Sequence, residues 1–588
     1  MKRPTPSRSP RPNAPASPAP RILAITLGLT LLARAAAAAL PHGWAWGIGT
    51  WRFLPVGMSA GGALLIALAL VPPLGRAITA RLGRDDEPLS PALGVVLALA
   101  LALLAGAMPD RMHYTGDSDK RQASFVLADD ARKLFPQALP ADLVIHHDFP
   151  RWLGSRLHVK PEITTRLFGV AEAAATGLAG WLFARALGLG GAAGFAAATA
   201  LAFGGWLALF GGYLKPFCEF APLVAFMAAG LVGVARRGRG LGMLGLATAA
   251  GVLLHRVGLV LLTGFVTGWV VALTLKRAET PWRSAWPWIG LAAVLGATAV
   301  TVPHAFALTG FDVERNLAPP LVREHGVVAE ALSIVRLAYL ANLFLMLAPL
   351  AVAIPFLLGP LARRRRVELI ALAGLAVPQL ALAAIIHPQE GMFRGWDLFT
   401  AAGVALAAIA AVLVAETIGG DSRRSWLAIA VAVSVAVPAI QWEWLQTDVP
   451  HGLRRVEAIV QGPPERDSDI RARSFDWAGM RRLGLGEAPE AAESFRRAAE
   501  LAPNPRYFVQ WGMAETMAGD VAGARDRYEH AVALDSLQVL GWKGLAATSS
   551  ALGDVPGVTR AVVWLRRLAP ADPVTKNAEA WLANRPQP

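Results

Sequence analysis

The feature that most constrains this chain is its series of long apolar segments, built mainly from Ala, Leu, Val and Gly. Hydrophobic residues make up 54% of the 588 residues and charged residues 17%, which is more apolar surface than a soluble fold can bury. A helix needs about 20 apolar residues to cross a hydrocarbon core about 30 Å thick. The sequence therefore predicts an all-α chain whose first part is a polytopic transmembrane helix bundle of about 11–13 spans. The apolar segments are 22–40, 57–76, 91–108, 162–186, 190–210, 217–235, 240–254, 257–275, 287–305, 337–360, 367–386, 397–416 and 425–441.

Two features of this series stay open at the sequence level. Only His255-Arg256 separates segments 240–254 and 257–275, so one long or re-entrant helix is an alternative to two spans. Segment 22–40 follows a basic stretch and contains small residues that resemble a signal-peptide cleavage site. Whether that first helix is cleaved or retained, the next loop lies outside.

Charge distribution predicts the orientation in the membrane. Residues 1–20 are basic and rich in Pro and Ser, which predicts a disordered cytoplasmic tail. With that tail inside, every predicted inner loop is basic, as the positive-inside rule requires. The chain is thus expected to be a multi-pass protein of a bacterial-type inner (plasma) membrane, with loops 109–161, 211–216, 306–336, 387–396 and the C-terminal region outside. The inner-loop residues are Arg76, Arg81, Arg84, Arg236, Arg237, Arg239, Lys276, Arg277, Arg363 to Arg366, Arg423 and Arg424.

Composition excludes several classes of protein. The lone Cys218 rules out an intramolecular disulfide and a cysteine-based zinc site. The net charge is +14, but residues 449–588 carry 18 Lys/Arg against 17 Asp/Glu, so the excess lies in the membrane half. That location suits anionic lipid headgroups and argues against nucleic acid as a partner.

The C-terminal region repeats with a period near 34 residues, which is typical of tetratricopeptide helix pairs. Gly486-Glu487, Gly519-Asp520 and Gly553-Asp554 recur at steps of 33 and 34 and mark the same turn in each unit. We expect a linker at 446–470 and a small α-solenoid at 471–588 that binds a protein partner. Its predicted core positions are Ala491, Ala524, Phe495 and Tyr528.

Two outer loops contain the residues best suited to catalysis or ligand binding. Asp117 and Asp119 follow a helix end, where a carboxylate can take a proton from an attacking hydroxyl; alternatively both are simply solvated loop acids. The segment HPQEGMFRGWDLF, residues 387–399, places Arg394 where its guanidinium could bind a phosphate bidentately. Trp396 could stack on a sugar face, or belong to the interfacial aromatic belt, and Arg394 with Asp397 could be only a surface ion pair.

Several segments in sequence order carry a family resemblance. They are GDSD (116–119), HHDFPRWLGSRL (146–157), the helix start PEITTR with Glu162 and Arg166, the corner YLKPF with Tyr213, Pro216 and Phe217, and His255-Arg256. Together they resemble the GT-C superfamily of integral membrane glycosyltransferases, although two extra helices precede the family's first. The membrane core followed by repeats is similar to the transmembrane O-mannosyltransferases.

The resemblance implies an inverting glycosyltransferase that moves a sugar from a polyprenyl-phosphate donor to a protein or glycan acceptor on the outer face of the membrane. It implies Asp117 or Asp119 as the catalytic base. It makes no cofactor certain and leaves a divalent cation possible. Residues expected to bind the donor phosphate or substrate are Lys215, His255, Arg256, Glu390, Arg394, Trp396 and Asp397.

Two other classes of function remain alternatives. One is a non-catalytic membrane scaffold that recruits envelope proteins through its repeats, and the other is a transporter or flippase of lipid-linked material. A transporter typically shows inverted repeats between its halves, and none is evident in the sequence. The transferase interpretation requires the outer loops to converge on one cavity, with Asp117 or Asp119 facing Arg394 and His255-Arg256.

Overall fold

A computed structural model describes residues 17–83, 87–116, 118–126, 131–275, 284–317 and 320–584. Every regular element within these ranges is a helix, which confirms the predicted fold class. The first helix begins at Ala19, and most of the predicted basic tail, residues 1–16, lies outside the described residues.

Eight helices in the described part of the chain are long and apolar enough to cross a membrane. Two bent pairs bring the count to ten if each pair is one span, compared with the 11–13 spans predicted. The chain is therefore a multi-pass membrane protein. The eight helices are Ala19–Ala37, Pro161–Ala186, Phe220–Arg237, Arg256–Thr274, Trp286–Ala307, Arg366–Ile385, Trp396–Ile418 and Ser422–Thr447. The bent pairs are Val56–Ala69 with Pro72–Thr79, at 80°, and Ile334–Leu347 with Pro349–Leu361, at 113°.

Fewer full-length spans are found than predicted because some apolar helices are short and others are interrupted before a proline. Three predicted segments form apolar helices that are shorter than a full span: Pro91–Ala107, Gly191–Ala202 and Leu241–Leu254. Both bends come directly before a proline, at Val71-Pro72 and at Ala348-Pro349. Proline disfavours the helical conformation of the preceding residue and offers no backbone N–H, so the helix ends there.

The chain turns sharply at His255, so the single long helix left open by the sequence does not form. His255 has an extended backbone, with φ −154° and ψ 143°, between Leu241–Leu254 and the 3-10 turn Arg256–Leu261. Gly258 packs against the end of the preceding helix, where a Cβ atom would lie 2.0 Å from the carbonyl oxygen of Gly251. The helix Leu262–Thr274 then continues from this turn.

Basic residues from separate predicted inner loops meet at one end of the bundle. Arg236 lies 3.3 Å from Glu368, and Arg365 lies 2.8 Å from Glu416 and 3.5 Å from Glu368. These contacts bring together the end of Phe220–Arg237, the start of Arg366–Ile385 and the end of Trp396–Ile418. The opposite ends of the same three helices therefore lie together at the other end of the bundle.

Short helices at that other end belong to two long loops. The first loop contains Ser118–Val126, Ala131–Leu134, Pro140–Leu143, the π-helix Val144–Asp148 and Phe149–Leu157. The second contains Thr309–Asp312, the π-helix Val313–Leu317, Pro320–His325 and Val327–Ala331. The remaining 3-10 turns of the membrane part are Gly49–Arg52, Gly205–Leu209, Pro349–Ala353, Trp396–Phe399 and Ser422–Arg424.

The C-terminal region is a series of packed helix pairs, as predicted. Gly486, Gly519 and Gly553 all have positive φ, from 74° to 89°, at the turn inside each pair. The predicted core residues are buried: Ala491, Ala524 and Phe495 completely, and Tyr528 nearly so. The helices are Ser468–Gly484, Ala488–Leu501, Pro505–Ala518, Val521–Leu534, Val539–Leu552, Val555–Leu568 and Pro573–Ala583, which packs on the two helices before it.

The first repeat helix packs directly on the membrane part. The segment predicted as a linker contains a helix, Val449–Gln461, whose Glu457 pairs with Arg482 at 2.7 Å. The ring of Trp477 lies 4.5 Å from that of Tyr114, and the Tyr114 hydroxyl lies 3.1 Å from Ser474 Oγ. The first long loop is thus anchored to the repeats.

Candidate functional site

A cavity of about 560 Å³ lies among the two long loops and the ends of the membrane helices. Its lining comes from parts of the chain that are far apart in sequence: 116–142, 215–217, 255–260, 305–317 and 382–398. Six of the nine residues singled out by the sequence line it. They are Lys215, His255, Arg256, Glu390, Arg394 and Asp397.

The two candidate bases cannot be placed in the same way. Asp117 lies outside the described residues, and of Asp119 only the backbone, in the helix Ser118–Val126, is described. Gly116 and Lys120, which flank these two acids, line the cavity. The predicted pairing of Asp117 or Asp119 with Arg394 therefore remains a prediction.

Arg394 is held by its own loop and by the first long loop. Its Nε lies 2.7 Å from Glu390 Oε2 and donates a hydrogen bond of 2.9 Å to the carbonyl oxygen of Tyr114. Its guanidinium also lies 5.2 Å from the centre of the Tyr114 ring. Both contacts use Nε, and the two Nη groups form no hydrogen bond to any other described residue, so they can bind an anion in the cavity.

Asp397 and Trp396 differ in their surroundings although they are adjacent. Asp397 accepts a hydrogen bond from the hydroxyl of Tyr213, the first residue of the YLKPF corner, and lines the cavity. Trp396 is 2% exposed and is not among the lining residues; its Nε1 donates to Thr115 Oγ1 at 3.0 Å. Its indole is part of the packing beneath the loop, away from any sugar in the cavity.

Arg256 and His255 carry different charges at neutral pH. Arg256 forms a bidentate ion pair with Asp312, at 2.5 and 2.6 Å, and donates to the carbonyl oxygen of Gln137 at 3.2 Å. Burial, reinforced by the charge of Arg256, lowers the pKa of His255 to about 3. His255 is thus a neutral imidazole, which can form a hydrogen bond to a phosphate but cannot neutralise its charge.

A buried ion network forms part of one wall of the cavity through Arg121 and Asp142, and the sequence alone did not single it out. Arg121 holds Asp142 through two hydrogen bonds of 2.8 Å. The two ring nitrogens of His146 lie 2.9 Å from Asp142 and 2.8 Å from Glu219. The only local signal is the four-residue spacing of Asp142 and His146, because the other partners are distant in sequence.

This network fixes the charges of its members. Burial alone would raise the pKa of Asp142, but hydrogen bonds from His146 and Arg121 hold it well below its usual range. Burial would likewise lower the pKa of His146, but Glu219 and Asp142 raise it to about 10. Both groups are therefore ionised at neutral pH, and they hold Ser118–Val126 and Val144–Asp148 together.

The lining of the cavity is partly charged and partly apolar. Its described residues include six Lys/Arg and four Asp/Glu. Apolar residues come from the membrane helices, from their ends and from the turn after His255. They are Val257, Val260, Ala305, Leu382 and Ile386.

Comparison of the chain with protein-family models finds no match, and comparison with curated proteins finds none either. The resemblance to membrane glycosyltransferases therefore rests on the sequence motifs given above.

Proposed function

We propose that this protein is a membrane glycosyltransferase that transfers a sugar from a lipid-phosphate donor to an acceptor outside the membrane. The observation that carries the proposal is the mixed lining of the cavity, in which cations and apolar side chains meet at the ends of the membrane helices. A polyprenyl-phosphate sugar likewise combines a polar, anionic head with a long apolar chain.

The cations that line the cavity suit the phosphate of such a donor. Arg394 is oriented by Glu390 and by the Tyr114 carbonyl, and charge-assisted hydrogen bonds from a fixed guanidinium bind phosphate strongly. Lys215 lines the same cavity and adds a second positive charge. These cations stabilise the negative charge that develops on the departing phosphate.

The proposed reaction is a single inverting displacement. Asp117 or Asp119 accepts the proton of the acceptor hydroxyl or amide, and the acceptor atom forms a bond to the anomeric carbon. The bond between that carbon and the phosphate oxygen breaks, and the lipid phosphate leaves with the electron pair. Both acids belong to the loop that contains Gly116 and Lys120, two residues that line the cavity.

Substitution of Arg394 and of the two acids tests this proposal. In purified protein, Arg394→Ala should weaken polyprenyl-phosphate binding about 10- to 150-fold, the loss of roughly 1.5–3 kcal/mol from a hydrogen bond to a charged group. The Asp117→Asn/Asp119→Asn double variant should bind the lipid normally but lose about 10²- to 10⁴-fold in transfer from a panel of polyprenyl-phosphate sugars.

Arg364→Ala is the matched control, because Arg364 is 59% exposed at the opposite end of the bundle. It should change neither binding nor transfer. If the double variant kept full transfer activity, the proposed base would be wrong. If wild-type protein neither bound polyprenyl phosphate nor transferred any sugar, the scaffold function would become the better interpretation.

A further inference from the structure

A second cavity, of about 590 Å³, lies on the other side of the loop 387–394. The two cavities share part of their lining, which consists of Arg315, Pro388, Gln389 and Glu390. The far wall of the second cavity comes from the first repeat helix, Ser468–Gly484, through Asp469, Ile470, Arg473 and Ser474. A ligand in this second cavity would therefore contact the repeats and also the wall of the first cavity.

The charges of the two cavities differ. The second cavity is lined by five Arg residues and six Asp/Glu residues, so its charges nearly balance. Tyr339, Met392 and Phe393 add aromatic and apolar surface. Such a lining suits a polar chain of low net charge with mixed side chains, whereas the first cavity suits an anion.

A line of exposed side chains continues from the second cavity along the repeats. Arg473 and Met480 are seven residues apart and so lie on the same face of the first repeat helix. Gln510, on the helix Pro505–Ala518, donates to Met480 Sδ at 3.2 Å. Met513 and Met517 extend this face, and Met480, Met513 and Met517 are 43%, 37% and 58% exposed.

Exposed methionines indicate what kind of ligand this face binds. The methionine side chain is flexible and polarisable, and surfaces rich in it adapt to varied apolar side chains. Helical solenoids use such extended surfaces to bind polypeptide segments. A glycan offers few apolar groups and would leave these methionines uncovered.

We propose that the second cavity is the acceptor site and that it binds an extended polypeptide segment, whose continuation lies on the Met480–Met513–Met517 face. The segment presents its acceptor group at the shared wall, beside Glu390. Transfer to that group rests on the proposed function, whereas binding of the polypeptide does not.

Photocrosslinking of the full-length protein in lipid nanodiscs tests this site. The probe is a pool of unstructured 12-residue peptides with a central Ser or Thr, a diazirine and a biotin. We expect crosslinks at residues 387–393 and 466–474 and near Met480 and Met513. Arg473→Glu and Met513→Glu should each reduce crosslinking at least fivefold, while Arg560→Glu, on an exposed distal repeat position, should not.

Competition and lipid binding separate the outcomes. Excess unlabelled peptide should abolish the crosslinks, and a chitin hexasaccharide should not; protection by the saccharide would overturn the polypeptide assignment. Crosslinks confined to other surfaces, or none in wild-type protein, would overturn the site. If these crosslinks form but polyprenyl phosphate fails to bind the same sample, the proposed transfer fails and the peptide site stands. If polyprenyl phosphate binds but the crosslinks do not form, only the peptide site is refuted.

Discussion

Asp142 is the residue on which the geometry of the cavity wall most depends. It is almost completely buried and is bonded to both Arg121 and His146, which come from different helices. A buried ion pair adds little net stability over apolar packing, but loss of one partner leaves the other charge buried and uncompensated. The network therefore stabilises the fold only while all of its charged partners are present.

Asp142→Asn should lower the free energy of unfolding by about 3–5 kcal/mol at pH 7, because it leaves the Arg121 and His146 charges short of a partner. The measurement is thermal or denaturant unfolding of the detergent-solubilised protein. Asp526→Asn is the matched control: Asp526 pairs with Arg525 at 2.9 Å but is half exposed, so its loss should cost less than about 1 kcal/mol.

The pH dependence of this difference follows from the depressed pKa of Asp142. A carboxyl with a lower pKa in the folded state stabilises the fold above its unfolded pKa, and this contribution is lost as the pH falls through the folded value. The wild type and Asp142→Asn should therefore converge in stability in strong acid. An undiminished difference there, or no difference at pH 7, would contradict the ionised network.

Individual residues show what sequence reasoning can and cannot reach at this scale. The family resemblance implies Lys215 and Arg256 as binding residues, the loop 387–399 points to Arg394, and all three line one cavity. The pairing of Arg121 with Asp142, and of His146 with Glu219, depends on how the loop folds over the helix ends. For Trp396 the sequence allows stacking on a sugar or a place in the interfacial aromatic belt. The residue is instead buried, because of packing that no local sequence pattern encodes.

At the scale of elements, the sequence predicted which segments are helical better than where the helices end. All thirteen apolar segments are helical, but hydrophobicity extends beyond the helix in 190–210, where the helix stops at Ala202 and a 3-10 turn follows. The bends at Pro72 and Pro349 had a visible cause in the sequence. The repeats were easier to predict, because each unit repeats the same turn and core positions.

The repeat region should fold without the membrane part. Residues 468–588 should be soluble and strongly helical by circular dichroism, because two apolar clusters, one around Phe495 and one around Trp542, are formed within the repeats. In this fragment Phe495→Ala should cost about 3–5 kcal/mol in denaturant unfolding, since Phe495 is completely buried.

Met517→Ala serves as the control for Phe495→Ala, because Met517 is 58% exposed and should change stability by less than about 0.5 kcal/mol. Phe475, Trp477 and Tyr507 belong to the apolar cluster of the membrane part, so any fraying of the fragment should be found in its first three helices. A disordered spectrum would refute independent folding, and equal effects of the two substitutions would refute the assigned core.

At the scale of the whole molecule, the two ends of the bundle have different chemistry. One end joins Arg236, Arg365, Glu368 and Glu416 in a compact ion cluster. The other end carries the two cavities and the repeats. Since the positive-inside rule assigns the arginine-rich end to the cytoplasm, the cavities and the repeats should lie together on the outer side.

Cysteine labelling of intact cells tests this orientation. Cys218 is the only cysteine and is buried, so the wild-type protein should not react with a membrane-impermeant maleimide. Arg560→Cys, on the exposed surface of the repeats, should be labelled from outside, whereas Arg364→Cys should be labelled only after the membrane is permeabilised. Reporter fusions at Arg366 and Pro588 should likewise report opposite sides. If both cysteines reacted from the same side, the two positions could not lie on opposite sides of the membrane, and the predicted orientation would be wrong. A lipid-linked donor in the outer leaflet would then no longer fit the cavity.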